Sequence, residues 1–432
     1  MRSIRELAPL GASAPSTPSG VESRSRRGRA VQRAIGRRLQ AAIGAAPIGF
    51  VLPNGEELRP AARTPLGRIV IRDVRTLVGL VGPSRDLWFG DGYARGEIEV
   101  EGDFADVLEA IYRASRPQSV LERVGRRWRR LRRRRNTLAA SRDNVHHHYD
   151  LGNEFYSLWL DREMVYTCAY FRHPDASLED AQLAKMEHVA RKLRLRSGET
   201  VVEAGCGWGS LALHLARTRG VRVRAFNISR EQIAFARERA RAEGVTGCVE
   251  FIEDDYRNVS GRCDAFVSVG MLEHVGPEHY ADLGRVIDRT LAGEGRGLLH
   301  FIGRSQPREF SPWVERRIFP GAHPPTLREV SAVLEPADLA ILDVENLRPH
   351  YARTLEHWLT RFETHHDEVA RRFDERFVRT WRLYLAGSIA AFRTGSLQLF
   401  QVLFARDGAS DVAWTREHLY AGTPSEEARA AN

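Results

Sequence analysis

The sequence predicts an α/β fold, a mostly parallel sheet covered by helices on both faces, with a small α+β domain ahead of it. Three observations carry this reading. Strand-like and helix-like stretches alternate from about residue 144 onward, and a glycine-rich turn joins the first of these strands to a helix. The chain of 432 residues also exceeds one ordinary core and leaves room for two domains.

Taken in order, residues 1–43 are rich in Pro, Ser and Arg without an apolar run, and read as a disordered basic tail, not as a secretory signal. Residues 44–120 hold short strand-like runs, Ile69-Val70-Ile71 and Ile98-Glu99-Val100, broken by Gly and Asp, with a helix expected after Asp103. This is the small α+β domain. Residues 121–143 form an Arg-rich linker in which Leu121, Val124, Trp128 and Leu131 recur every three or four positions, surrounded by Arg126, Arg127, Arg129, Arg130 and Arg132. That spacing predicts a basic amphipathic helix suited to an anionic membrane surface, or one packing its stripe on the protein's own domains. From 144 to 410 the strands are expected at Val201-Val202, Val221 to Phe226, Val249 to Ile252, Ala265 to Val269 and Leu298 to Ile302. Residues 411–432 are left as a C-terminal tail.

Apolar residues make up 43% and charged residues 28%, and no apolar run approaches the roughly 20 residues that span a bilayer. The net charge of +9 points to polyanion partners. Nucleic acid is disfavoured by the lack of a helix-turn-helix, zinc-finger or aromatic-basic signature, whereas a phospholipid surface attracts arginine by the same electrostatics. The expected place is the cytoplasm, at the inner face of the cell membrane. Cys168, Cys206, Cys248 and Cys263 show neither CxxC pairing nor zinc-like spacing, and the consecutive His146-His147-His148 point in different directions. No metal is expected.

The segment Thr200 to Gly209 reads as strand, glycine-rich turn and the start of a helix from Ser210 to Arg217. Ligands in such sheets bind at the carboxyl ends of the strands. Gly205, Gly207 and Gly209 follow G-x-G-x-G, and Glu203 lies two positions before the first, a pattern unlike the dinucleotide fingerprint. It suits S-adenosylmethionine, which has no pyrophosphate to place but needs close approach of backbone; a tight strand-to-helix turn would use the same glycines. Asn227 ends the second strand near the expected ribose, Gln232 lies on the next helix, and Asp255 follows the third strand near the expected adenine or is a solvated loop acid.

Further runs carry a resemblance. They are His148-Tyr149-Asp150-Leu151-Gly152-Asn153, Tyr166 to Phe171, Gly205 to Gly209, Ser268 to Gly276, Leu299 to Gly303, Ile318-Phe319-Pro320-Gly321, His350 to Leu355 and Ala391-Phe392-Arg393. Together, over about 144 to 405 and in this order, they resemble the cyclopropane fatty acid synthases and the related mycolic acid methyltransferases. Trp88 to Asp103 resembles the small N-terminal domain of the full-length bacterial synthases. The resemblance implies a class I, Rossmann-like S-adenosylmethionine methyltransferase that forms cyclopropane rings on unsaturated phospholipid acyl chains. Tyr166, Thr167, the glycine turn and Gln232 would hold the cofactor. Cys168, Glu273, His300 and Tyr351, with the backbone of Ile302, would hold bicarbonate. Homodimers are permitted.

The chemistry needs such a site. A cis alkene is a weak nucleophile, so the sulfonium methyl must be pre-positioned; a carbocation follows, which water would capture. Aromatic faces such as Tyr170, Phe171 or Trp208 could stabilise it, and a base must take one proton. Each residue also has an ordinary use: Cys168 as a small buried hydrophobe, Glu273-His274 as a helix cap, His300 as a core histidine, Tyr351 as a packed ring. Four positions depart from the family pattern: Glu203 for Asp, Thr167 for Ser, Phe301 for Thr, and Ser388 for a common Cys. Ser388 is read as packing. The rival readings are a methylene- or methyl-branched product on the same fold, and a silent lipid-binding module.

Overall fold

The computed structural model describes residues 19–60, 62, 64–114, 151–308 and 310–420. Four short strands, β1 (Ile48–Val51), β2 (Glu57–Leu58), β3 (Gly67–Ile71) and β4 (Ile98–Glu101), pair in the order β2-β1-β3-β4. Their inward residues Ile48, Phe50, Ile69, Ile71 and Ile98 are buried, as period-2 alternation requires. A helix starts at Phe104, where the Asp103 carboxylate accepts the Asp106 N–H (2.9 Å).

Both chain ends differ from expectation. Ser19–Ala42 is helical, with Leu39 buried and Ile35 half-buried against the small sheet. A Cβ on Gly36 would stand 2.5 Å from Leu58 and 2.9 Å from Leu52, so the helix lies close because that residue has no side chain. The stripe of Ile35, Gly36 and Leu39 is too sparse to stand out among the arginines. At the other end Asp411 pairs with Arg194 and Arg196 (2.8 and 2.9 Å), and Leu419 is buried, its carbonyl accepting from Arg191 (3.1 Å). Residues 411–420 are therefore anchored at Asp411 and Leu419, while those between stay mostly exposed. The linker 121–143 lies outside the described residues.

The second sheet has seven strands: β5 (Thr200–Ala204), β6 (Arg222–Asn227), β7 (Val249–Glu253), β8 (Cys263–Val269), β9 (Leu291–Gly303), β10 (Leu339–Asn346) and β11 (Gln398–Arg406), in the order β10-β11-β9-β8-β5-β6-β7. The five expected strands run parallel, while β11 is antiparallel to β9 and β10 to β11. The last two strands were not predicted. β10 is an edge strand that leaves Ile341 and Val344 exposed, and β11 buries Gln398 and Gln401 among its apolar residues, so neither has a clean strand pattern. The chain departs from β5 in both directions, which opens a crevice at the carboxyl ends of β5, β6 and β8.

Helix Glu375–Arg393 joins the two sheets' domains. Arg379 donates to the carbonyls of Tyr93 and Ile98 (2.6 and 2.7 Å), and Arg393 reaches Asp106 and Glu356 (2.8 and 2.7 Å). Helix Arg85–Ala94 adds a second contact, since Gly90 lets the Trp313 ring approach to 2.3 Å of where a Cβ would be. One buried cluster runs from Ile48 to Leu399 across both. Among the described residues no helix is long and apolar enough to cross a membrane.

Candidate active site

After β5 the chain turns through Gly205, Gly207 and Gly209 at φ of 86°, 53° and 84°, a region that only glycine enters without strain. The three serve different ends. A Cβ on Gly209 would meet Phe251 at 2.5 Å and Ala236 at 2.8 Å, and one on Gly205 would touch Met271 at 3.0 Å. One on Gly207 would meet nothing within 4 Å. Gly207 thus presents its backbone to open space at the strand ends, where a ligand can approach it.

The neighbouring strands brace this turn. Asn227, at the end of β6, donates to the Gly207 carbonyl (3.3 Å) and to Gln232 Oε1 (2.7 Å), and Gln232 is buried at the start of helix Arg230–Ala242. Asp255 is buried and caps a one-turn helix, accepting from the Arg257 N–H (3.0 Å). It is not a solvated loop acid. Glu203 is buried under the turn, where desolvation pushes its pKa up to about 7 against the pull of Lys185 and the Ala212 N–H. Its Oε2 has no partner among the described residues.

Tyr166, Thr167 and Cys168 arrive on one extended segment gripped from two sides. Helix Leu178–Lys192 holds it through Gln182, whose Nε2 donates to the carbonyls of Thr167 (2.8 Å) and Val165 (3.3 Å). Helix Arg348–Thr364 holds it through Thr354 and His350, which accept the N–H groups of Ala169 and Phe171 (both 3.0 Å). The same helix carries Tyr351, so Cys168 and Tyr351 come to one wall. Cys168 is fully buried, its thiol donates to the Ala169 carbonyl (3.1 Å), and desolvation pushes its pKa far up, so it stays protonated.

Glu273 lies on the short helix Leu272–Val275 that follows β8, and His300 lies on β9. Gly270 donates to the His300 carbonyl (2.8 Å), and the Ile302 N–H donates to Glu273 Oε1 (2.5 Å). The expected free backbone donor at Ile302 is therefore engaged by Glu273. Among the described residues both side chains keep one buried polar atom without a partner, Glu273 Oε2 and His300 Nε2. Burial raises the Glu273 carboxyl to about 7 and holds His300 well below its usual pKa, so the imidazole is neutral. Gln401, on β11, donates to His300 Nδ1 (3.0 Å), which leaves the proton on Nε2.

The aromatic expectation is partly displaced. Tyr170 is stacked between His188 and His350 (ring centroids 4.3 and 4.8 Å) and Phe171 lies on His357, so both rings are engaged by histidines. Trp208 does belong to the site's wall, 5.0 Å from Tyr156. That wall continues through Trp159, Tyr166 and Trp358, each ring 5.2 to 5.6 Å from the other two. Tyr384 closes it, its hydroxyl 2.9 Å from that of Tyr166. Sequence reasoning passed over Tyr156, Trp159, Trp358 and Tyr384, although Asn153 to Trp159 and the helix after Tyr351 carry an unusual density of rings.

The model of the mycolic acid cyclopropane synthetase family matches residues 136–402. The chain belongs to this family. A probable fatty acid methyltransferase of Pseudomonas putida is 37% identical over 83% of this chain and 92% of its own length. The cyclopropane-fatty-acyl-phospholipid synthase of Escherichia coli (strain K12) is 40% identical over 60% of this chain and 66% of its own length. Among solved structures, the Mycobacterium tuberculosis cyclopropane synthase MmaA2 matches with a TM-score of 0.59 at 28% identity, over 61% of this chain and 98% of that one. The mycolic acid cyclopropane synthase CmaA1, complexed with SAH and CTAB, matches with the same score at 27% identity and the same coverage. As a cyclopropane synthetase family member with this sheet, the protein is an S-adenosylmethionine-dependent methyltransferase of class I fold.

Proposed function

We propose that the protein transfers the methyl group of S-adenosylmethionine to the cis double bond of an unsaturated phospholipid acyl chain and closes a cyclopropane ring, with bicarbonate as base. The observation that carries this reading is the pair of unpartnered buried atoms, Glu273 Oε2 and His300 Nε2, beside the segment that bears Cys168. Such atoms are costly unless a ligand meets them. An oxyanion fits: a neutral imidazole with its proton on Nε2, a carboxyl that burial keeps close to half-protonated at neutral pH and the Tyr351 phenol are all donors.

Bound S-adenosylmethionine supplies an electrophilic methyl group, and bound bicarbonate supplies a base for the proton that must leave. The glycine turn, Asn227, Gln232, Tyr166, Thr167 and Glu203 orient the cofactor, with Asp255 at its adenine side. Cys168, Glu273, His300 and Tyr351 hold the anion. Trp159, Tyr166, Trp208 and Trp358 exclude water and turn ring faces to the positive charge that develops on the acyl chain.

The direct test incubates the protein with labelled S-adenosylmethionine and vesicles of unsaturated phospholipid, then identifies the fatty acid by mass spectrometry and proton NMR. Cyclopropane protons are expected; label that never reaches lipid overturns the proposal. A second reading, a methylene- or methyl-branched chain, is favoured by the broad match to a relative named as a fatty acid methyltransferase, and the same spectra separate it. Access to acyl chains is by peripheral docking on anionic lipid at the inner face of the cell membrane, through the linker arginines and the exposed Arg27, Arg29, Arg37 and Arg38 of helix Ser19–Ala42. Sedimentation with anionic vesicles should fall when Gln replaces Arg126, Arg127, Arg129 and Arg130.

A further inference from the structure

Lys185 has no part in the reading above, yet it is one of the few buried cations near the crevice. It lies on helix Leu178–Lys192 at 2% exposure, and its Nζ donates to Thr167 Oγ1 (3.0 Å). Among the described residues it has no carboxylate at ion-pair distance; Asp161, Cys168 and Glu203 act on it from farther off, and it acts in turn on His300. Desolvation lowers its pKa to about 8, so it is still mostly charged at neutral pH.

Burying an ammonium costs several kcal/mol unless an opposite charge compensates. A single neutral hydroxyl does not. Asp161 and Glu203 offset that cost only in part, from beyond ion-pair distance, and the Asp161 oxygens also accept the N–H groups of Val165 (2.9 Å) and Glu163 (3.0 Å) at the start of the same segment. The geometry at Thr167 shows where the charge is directed. An ammonium can only donate, so Lys185 fills an acceptor position on Oγ1 and leaves the hydroxyl hydrogen to point elsewhere. The Thr167 methyl faces Gly270, where a Cβ would come within 2.9 Å, and its carbonyl is held by Gln182 (2.8 Å). With the carbonyl and methyl engaged and Oγ1 accepting from Lys185, the hydroxyl hydrogen is the part of Thr167 left to donate to a ligand.

We propose that Lys185 is a positioning residue that orients the Thr167 hydroxyl and lends its charge to bind a carboxylate-type anion at this point. Two sources share that chemistry: the aminoacyl carboxylate of S-adenosylmethionine, and bicarbonate. The second source rests on the bicarbonate reading given above; the first does not.

The test uses the full chain with Lys185→Met, which matches the length of the side chain without its charge, and separately Thr167→Val, which keeps the methyl contact. Thermal melting first establishes that each variant is folded. Calorimetry then compares S-adenosylhomocysteine, which has the carboxylate, with methylthioadenosine, which lacks it, and turnover is followed against added bicarbonate in carbonate-depleted buffer. For the cofactor as source, both variants lose about tenfold or more in affinity for S-adenosylhomocysteine and keep that for methylthioadenosine. For bicarbonate as source, both nucleosides bind as before and the half-saturating bicarbonate rises by about tenfold. Equal loss for the two nucleosides would make Lys185 merely structural, and no change in any of the three would leave its charge without a ligand. Either result overturns the proposal.

Discussion

On the β6–β7 side of the crevice the groups assigned to the cofactor are mostly main chain and neutral amides close together in sequence, from Gly205 to Gln232. The groups assigned to the anion are ionisable side chains gathered from far apart, Cys168, Glu273, His300 and Tyr351, with the neutral Gln401 amide bonded to His300. The first leaves the Gly207 backbone open to the approach of a ligand. In the second, burial raises the Glu273 carboxyl and keeps the His300 imidazole neutral. Binding and chemistry should therefore be separable by mutation.

The sharpest separation is expected at Glu273 and Tyr351. Glu273→Gln or Tyr351→Phe should lower turnover by about a hundredfold or more, the usual span for loss of an acid–base group. Affinity for S-adenosylhomocysteine should stay within about twofold, because neither residue belongs to the cofactor side. Steady-state kinetics with calorimetry checks both numbers. Equal losses in affinity and turnover would erase the distinction between the two sides.

Gly207→Val makes the complementary break. Its φ of 53° strains any side chain by about 1–2 kcal/mol, but no protein atom stands in the way of the Cβ, so the chain should fold. Affinity for S-adenosylhomocysteine should drop by about a hundredfold, since the new side chain fills the ligand's approach. Gly209→Val is the control for crowding: it collides with Phe251 and Ala236 and should lower the melting temperature instead.

A smaller effect appears in the pH dependence of stability. Burial raises Glu203 and Glu273 from 4.5 to about 7, so between these values the folded state binds protons that the unfolded state has released. Their contribution is complete below 4.5 and is lost as pH rises through about 7. His300, held down by burial, has the opposite sign and stabilises above its ordinary 6.5. Glu273→Gln removes one of the two acid contributions, so denaturation midpoints of the variant should gain on the wild type as pH rises from about 5 to about 8. A constant difference across that range would mean that the carboxyl is not desolvated.

What the sequence disclosed follows the same division. The glycine turn, the five parallel strands and the helix after Asp103 are local patterns, and each stands where expected. The chemical side was legible only through resemblance, because nothing in the spacing of Cys168, Glu273, His300 and Tyr351 brings them together. His300 lies on β9, Tyr351 on helix Arg348–Thr364 and Glu273 on the short helix after β8, far apart in sequence. Two corrections have a common cause: the stripe of helix Ser19–Ala42 and the anchor Leu419 are small apolar features in polar, arginine-rich surroundings. Lys185 was hidden for the opposite reason, since a lysine on an amphipathic helix ordinarily faces water.

The smallest effect is expected at Ser388, where by resemblance the family commonly carries a cysteine. The residue is half-buried on helix Glu375–Arg393, one turn from Tyr384 on one side and Phe392 on the other. Those two rings touch the site, Tyr384 through the Tyr166 hydroxyl and Phe392 against Tyr351 at 4.6 Å. Ser388 therefore spaces two residues that matter, without a hydrogen bond of its own among the described residues. A hydroxyl that bonds nothing there contributes little, so Ser388→Ala should change stability by less than about 0.5 kcal/mol. Turnover should stay within about twofold of wild type, because methyl transfer to an alkene needs no covalent bond to the protein. Mass spectrometry of the intact protein during turnover, together with the variant's rate, checks this. A Ser388-linked adduct, or complete loss of activity in a folded variant, would place a nucleophile on this helix and move part of the chemistry away from the groups assigned to the anion.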